Sequence, residues 1–332
     1  MNLDQILSGT ALCRRLGIKY PIMQAGMGQV AYGALAGAVS AAGGLGVIGS
    51  GYLTGDELRR EIRIVREITD RPFGVDILFA KVSGEDESAQ RYTRQVEDQI
   101  RVTIDERVPV LISGLGNPLN VVPECREKGI VVMSVVGNVR QAVKLEADGV
   151  DMLIASGAEG GGHVGRVGTA TLVPAVVSAV KIPVIAGGGL ADGRGLLAAL
   201  TFGAHGVWMG TRFIASTEAR GHDNYKNRLV EATEEDTVIS RAHSGKTVRM
   251  LRNRFTDHWA QHESEILPYP RQLQEIGTEA SVRGRIEGDV ENGVLPAGQS
   301  TALIGSVKPA GEIIEDIVAE ARRALQVFGG AA

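Results

Sequence analysis

The densest group of reactive residue types in the sequence is Ser156-Gly-Ala-Glu-Gly-Gly-Gly-His163-Val-Gly165. Three glycines ahead of a histidine let the backbone pass close to a flat ligand and present the imidazole to it. With its ordinary pKa of about 6.5, an imidazole can give or take a proton at working pH. Two further clusters, Gly187-Gly188-Gly189 and Met209-Gly210-Thr211, each stand just before a segment that reads as a helix. Backbone N–H groups exposed by glycine, with a helix N-terminus behind them, suit a phosphate. Gln24-Ala25-Gly26-Met27-Gly28 offers more backbone groups and an amide, and Asp76, Ser113 and Gly114 hold comparable places in their own segments.

The elements that must position these residues follow from the apolar pattern. Eight short apolar runs recur, at 21–26, 44–50, 72–79, 108–114, 130–137, 150–157, 182–188 and 205–211, each closed by small or polar residues. Continuous rather than alternating runs indicate strands buried on both faces, as in parallel sheets. Their spacing of about 26 residues leaves room for a helix in each interval. Thr54 and Glu57 have capping-box spacing, and Leu58, Ile62, Val65 and Ile68 follow at helical intervals. Residues 34–42 read as a small-residue helix, and Asp192 is the expected cap of another over 195–200. Eight β-then-α units predict an α/β TIM barrel, with a doubly wound open sheet as the alternative. In a barrel the C-terminal strand ends carry the active site, and the loops after strands 7 and 8 favour phosphate. The reactive residues fall at those ends.

After residue 216 the pattern changes. Residues 217–290 are rich in Arg, Glu, Asp, His and Asn, with helical stretches at 225–235 and 248–258 and no strand-like run. The expected organisation is a barrel over 1–216 and a smaller, mostly helical subdomain over 217–290, inserted after strand 8 and covering the active site. Residues 291–332 then return to the barrel, where Ile313, Ile314, Ile317, Val318, Ala321 and Leu325 form one face of a closing helix.

Composition excludes several functions. A formal net charge of −4 with only 2 Trp, 6 Tyr and 6 Phe leaves neither a basic field nor stacking platforms for nucleic acid. No apolar run reaches the ~18 residues that span a bilayer. The opening residues lack a basic and then apolar leader, and two cysteines suit a reducing compartment, so a cytoplasmic location is expected. No metal is expected: His258 and His262 are four apart, but Trp-Ala-Gln between them supplies no glutamate. Residues 44–49 and 160–165 both match G-x-G-x-x-G. The first lies inside a strand, and neither opens a helix with an acidic residue ~20 positions later, so a dinucleotide fold is not indicated. No G-x-S-x-G elbow occurs and neither cysteine ends a strand, which leaves covalent catalysis without support.

In combination, Pro21-Ile-Met-Gln-Ala-Gly-Met27, Ala42-Gly-Gly-Leu-Gly46, Arg71-Pro-Phe-Gly-Val75, Glu159-Gly-Gly-Gly-His-Val-Gly165, Ile185-Ala-Gly-Gly-Gly-Leu-Ala-Asp-Gly193 and Met209-Gly-Thr-Arg-Phe213 resemble the nitronate monooxygenase (2-nitropropane dioxygenase-like) family. That family includes flavin-dependent enoyl-ACP reductases of the second type and NADH:quinone reductases, and the resemblance runs from about residue 12 to 325. It implies a TIM barrel that binds FMN non-covalently under a helical roof. Ala25, Gly26 and Met27 would lie against the flavin ring, Asp76 at its pyrimidine side and Gly161 along the ribityl chain. Gly188, Gly189, Gly210 and Thr211 would hold the phosphate, with Ser156 and Met209 completing the cofactor set. His163 would be the catalytic residue, near flavin N5 and the substrate. Three departures stand out. Asp76 replaces the usual Asn, and an ionised carboxylate cannot donate the hydrogen bond an amide would. Ser156 replaces a frequent Gln, and Gly160 widens the loop beside His163 for a larger substrate.

Three functions compete. An FMN-dependent enzyme would oxidise alkyl nitronates with O2, His163 positioning or deprotonating the substrate. The alternative is a reductase that takes electrons from NADH or NADPH and acts on an enoyl thioester (ACP or CoA) or a quinone. Residues 242–249 and 288–293 and the Gly-enriched loop favour that branch. A phosphate-ligand binding protein without turnover is the third, disfavoured because convergent polar groups in one pocket mark active sites. The sequence leaves the oligomeric state open, a homodimer included.

Overall fold

The computed structural model describes residues 3–79 and 93–329. Its strands are β1 (Ile22–Gln24), β2 (Gly46–Gly49), β3 (Phe73–Phe79), β4 (Val110–Gly116), β5 (Val131–Val136), β6 (Met152–Ser156), β7 (Gly162–His163), β8 (Val184–Gly187), β9 (Val207–Met209), β10 (Thr237–Ser240) and β11 (Val248–Leu251). Eight of them form one parallel sheet in the order β1-β9-β8-β6-β5-β4-β3-β2. A parallel bridge between Met23 and Leu45 brings the sheet's two ends together, with Gln24 N–H donating to Leu45 O at 3.0 Å. The result is a TIM barrel, and the open-sheet alternative falls.

Side chains alternate across each strand, which sorts the apolar residues into two layers. Met23, Val47, Val110, Ile112, Val131, Met133, Met152, Ile154, Ile185 and Trp208 pack together inside the barrel. Leu12 and Cys13 of the short helix Ala11–Leu16, with Ile18 just after it, join that interior cluster. Their neighbours in sequence, such as Leu111, Val132, Leu153, Ala186 and Val207, face the surrounding helices. Burying a Val, Leu or Ile side chain contributes about 1.5–3 kcal/mol each, so a one-residue slip of any strand would be strongly resisted.

The helices sit where the sequence expects them. Thr54 caps Gly55–Ile68 in a full capping box, and Leu58, Ile62 and Val65 are buried, whereas Ile68 at the frayed end is half exposed. Asp192 caps Gly193–Thr201, Gly33–Ala41 is the small-residue helix, and Ala310–Gly329 packs Ile313, Ile314, Ile317, Val318 and Ala321 against both. No helix among the described residues is long and apolar enough to cross a membrane.

Within residues 217–290 two expectations are corrected, the first being that the segment has no strand: it holds β10 and β11. Residues 248–258 are not one helix: Val248–Leu251 is the strand β11, and only Arg254–Gln261 is helical, started by the Asn253 cap. β11 pairs antiparallel with β10 on one side and with β7 on the other, Val248 opposite His163. Pairing with a strand on each side, a hairpin partner in β10 and the distant β7, outweighs a local helical rhythm here.

Candidate active site

The strand alternation that fills the barrel also decides which residues crown it. Continuing the interior rows of β1 to β6 one step past the apolar layers gives Ala25, Gly49, Asp76, Gly114, Val135 and Ser156, and Trp208 of the interior layer stands with them on β9. All seven line one cavity of about 660 Å³ at the C-terminal ends of the strands. The loops beyond add Gly26, Met27, Gly161, His163, Gly188, Gly189, Gly210 and Thr211, and residues 269–278 and 285 roof it. Of the residues singled out from sequence, Gln24, whose amide is bonded to the Val47 backbone, Ser113 and Gly187 do not line the cavity, and neither does Met209. It follows Trp208, so the pleat turns its side chain into the outer core, and its carbonyl accepts from Ala25 N–H at 2.9 Å.

At one end the chain is shaped by glycine. Gly188 and Gly189 have φ of 92° and 71°, a left-handed path that side chains disfavour. A Cβ on Gly188 would stand 2.7 Å from the Gly157 carbonyl. Glu159, packed against Gly189, accepts from Thr169 N–H at 2.9 Å, and Thr169 Oγ1 donates to Gly188 O at 2.9 Å. The helix N-terminus expected to assist a phosphate is already used: Gly195 N–H donates to Asp192 at 2.8 Å and Gly193 N–H to Glu320 at 3.0 Å. The open surface there consists of the two glycine loops themselves.

Asp76 sits across the cavity, 8 % exposed, its carboxyl against Gly26 and Gly114 where no side chain would fit. Oδ1 has no hydrogen-bond partner. Burial pushes the Asp76 carboxyl up to about 8, partly offset by a hydrogen bond from Gly114 N–H. At neutral pH it is therefore mostly a carboxylic acid, which can donate as well as accept. The sequence expectation of an ionised group that cannot replace an amide is corrected by burial.

His163 lies on β7, held by the β11 pairing and by Arg249, whose Nε donates to Ala158 O at 2.9 Å. Its Nε2 is 2.9 Å from Ser244 Oγ. Burial first, then the charges of Lys246 and Arg285, push its pKa down to about 4. The ring is consequently neutral at pH 7, a hydrogen-bonding group rather than the half-charged one its ordinary pKa suggested. A second histidine, which sequence reasoning missed, stands beside it. His243 is 6.2 Å from His163 between ring centroids, its Nε2 3.0 Å from Ser281 Oγ, and burial holds its pKa well below the ordinary value. Arg285 was missed too; its Nη1 donates to Gly28 O at 3.0 Å. Both belong to the charge-rich segment that resembles a solvated surface in sequence. The cysteines stay outside: Cys13 and Cys125 are buried, and burial pushes the Cys125 thiol up to about 12.

A TIM barrel with a glycine-cradled cavity and a neutral histidine at its strand ends is an enzyme architecture. Comparison with known proteins gives the family. The nitronate monooxygenase family profile matches residues 10–320, and the chain belongs to that family of oxidoreductases, whose members are flavin-dependent and act on small molecules. A probable nitronate monooxygenase of Staphylococcus aureus is 33% identical over 95% of this chain and 98% of its own length. FabK from Thermotoga maritima shares 41% identity with a TM-score of 0.88, covering 97% of this chain and 99% of its own. A nitroalkane oxidase from Streptomyces ansochromogenes shares 29% identity with a TM-score of 0.85, covering 96% and 100%.

Proposed function

We propose that the protein is an FMN-dependent reductase that takes electrons from NADH or NADPH and delivers them to an enoyl thioester. The observation that carries this reading is the cavity. It has room well beyond its glycine-lined end, and Leu78, Val96, Tyr269 and Leu273 give it an apolar lining suited to an acyl chain. The 41% identity to FabK, an enoyl reductase, supports it.

FMN suits the residues present. Gly188 and Gly189, with the left-handed backbone that glycine allows, line the cavity together with Gly210 and Thr211, so these four would hold the phosphate. Gly161 and Ser156 would follow the ribityl chain, and Ala25, Gly26 and Met27 would carry the ring. Asp76, neutral and with an unpartnered oxygen, would bond the pyrimidine edge. When bound, FMN would supply two-electron chemistry that no side chain of the cavity offers. The chain's own contribution is position and charge. Neutral His163, oriented by Ser244, would donate to the acceptor carbonyl and draw electron density toward its oxygen. The roof formed by residues 269–278 would exclude water while that oxygen gains charge.

Nitronate oxidation with O2 is the second reading, favoured by the family and by the curated staphylococcal relatives. Anaerobic mixing separates the two. Bleaching of the bound flavin by NADH or NADPH, with recovery on addition of a 2-enoyl thioester, is expected. Bleaching by a nitronate alone would replace the first reading with the second.

A further inference from the structure

Two side chains with formal charge line the cavity among the described residues, Asp76 and Arg285. Asp76 is held neutral by burial. Arg285 is left as the sole fixed charge of the lining, and nothing balances it. The residue is 6 % exposed, Nε has no hydrogen-bond partner, and the one hydrogen bond of its side chain goes to the Gly28 carbonyl. No carboxylate lies within ion-pair distance of it among the described residues. A guanidinium keeps its charge in proteins, and a buried charge without a counter-charge is costly. A ligand that brings the opposite charge would offset that cost.

The surroundings define that ligand. His163, His243 and Arg285 line the same cavity, the two neutral rings 6.2 Å apart between centroids, and His243 Nε2 is 3.0 Å from Ser281 Oγ, one helical turn before Arg285. His243 Nδ1 is buried without a partner. Lys246, half-buried over the Tyr269 ring at 4.3 Å, adds charge of the same sign at the wall. One fixed positive charge with neutral ring nitrogens around it matches a single negative charge spread over oxygen. The geometry points to an anion subsite formed by Arg285 with His163 and His243, which takes a carboxylate borne by the substrate. This rests on the flavin reading for its role in turnover, where the bound carboxylate would orient the substrate in the cavity. Binding of the anion does not depend on that reading.

The test is isothermal calorimetry on the protein as purified, with propionate as the anion and propionamide as its neutral match. Propionate is expected to bind more tightly than propionamide, and Arg285→Gln to weaken propionate at least about tenfold while leaving propionamide unchanged. Arg285→Lys should recover part of the loss. Equal affinity for the two ligands in the unaltered protein would overturn the subsite, and this arm needs no variant to fold. Unchanged propionate affinity in a folded Arg285→Gln protein would also overturn it. A loss of FMN affinity in Arg285→Gln with no change for propionate would assign the charge to the cofactor instead. If the protein proves colourless and takes up no flavin, the functional reading fails while the propionate result still stands or falls by itself.

Discussion

Asp76 offers the most direct quantitative check on how the site holds a flavin. Its carboxyl is buried at the inward face of β3, on the cavity wall, and burial raises it to about 8. At pH 7 about one-tenth of the molecules then carry the ionised form, and at pH 9 about nine-tenths. If the acid donates a hydrogen bond to the pyrimidine edge and the carboxylate cannot, FMN affinity should fall roughly tenfold between those values, or about 1.4 kcal/mol. Asp76→Asn keeps the shape and the donor without the titration, so its affinity should be flat over the same interval. Quenching of FMN fluorescence on titration into apoprotein at pH 7, 8 and 9 reads both. Flavin and phosphate ionisations are common to the two proteins and cancel in the comparison. A flat profile for the unaltered protein, or the same slope in Asp76→Asn, would refute the argument. The sign for folding is the same. A carboxyl raised in the folded state stabilises fully below its unfolded pKa and loses that contribution as pH climbs to about 8, so Asp76→Asn should gain thermal stability over the unaltered protein at pH 9.

Three further outcomes are expected. His163→Ala should keep its flavin yet lose most turnover, on the order of 10²–10⁴-fold in kcat/KM; an unchanged kcat/KM would remove His163 from the chemistry. Because the folded protein holds His163 down at about 4, protons bind the unfolded chain first as pH drops below about 6.5, and melting temperature should fall between there and pH 4. His163→Gln should flatten that fall, and calorimetric melts at several pH values check it. Gly188→Ala would force a Cβ toward the Gly157 carbonyl at positive φ, so FMN affinity should drop by tenfold or more, whereas an unaltered affinity in a folded variant would place the phosphate elsewhere.

Much of this architecture was legible because parallel barrel strands are buried on both faces and so appear as unbroken apolar runs. All eight runs became barrel strands. The rim residues followed from the same fact, since once the strands are known the pleat decides which side chain looks inward. Met209 shows the limit: being at a strand end was not enough, because Trp208 occupies the inward position. The sheet of β7, β10 and β11 was not legible. A strand of two residues has no rhythm, and Val248–Leu251 leads directly into a capped helix, so the two blended into one apparent periodicity. His243 and Arg285 were hidden for a related reason, as a polar residue in a charge-rich segment looks solvated until the fold lays that segment over a cavity. The states of Asp76 and His163 were beyond the sequence altogether, since they depend on how deeply each group is enclosed.

The central claim is that one barrel mouth holds a flavin by its phosphate at the paired glycine loops, with the ring running toward Asp76. A crystal structure of the protein loaded with FMN tests it most directly. The phosphate is expected within hydrogen-bond distance of backbone N–H groups at 188–190 and 210–211, and the pyrimidine edge against the Asp76 carboxyl. A phosphate bound away from those loops, or a ring turned so that Asp76 faces no polar flavin atom, would contradict it.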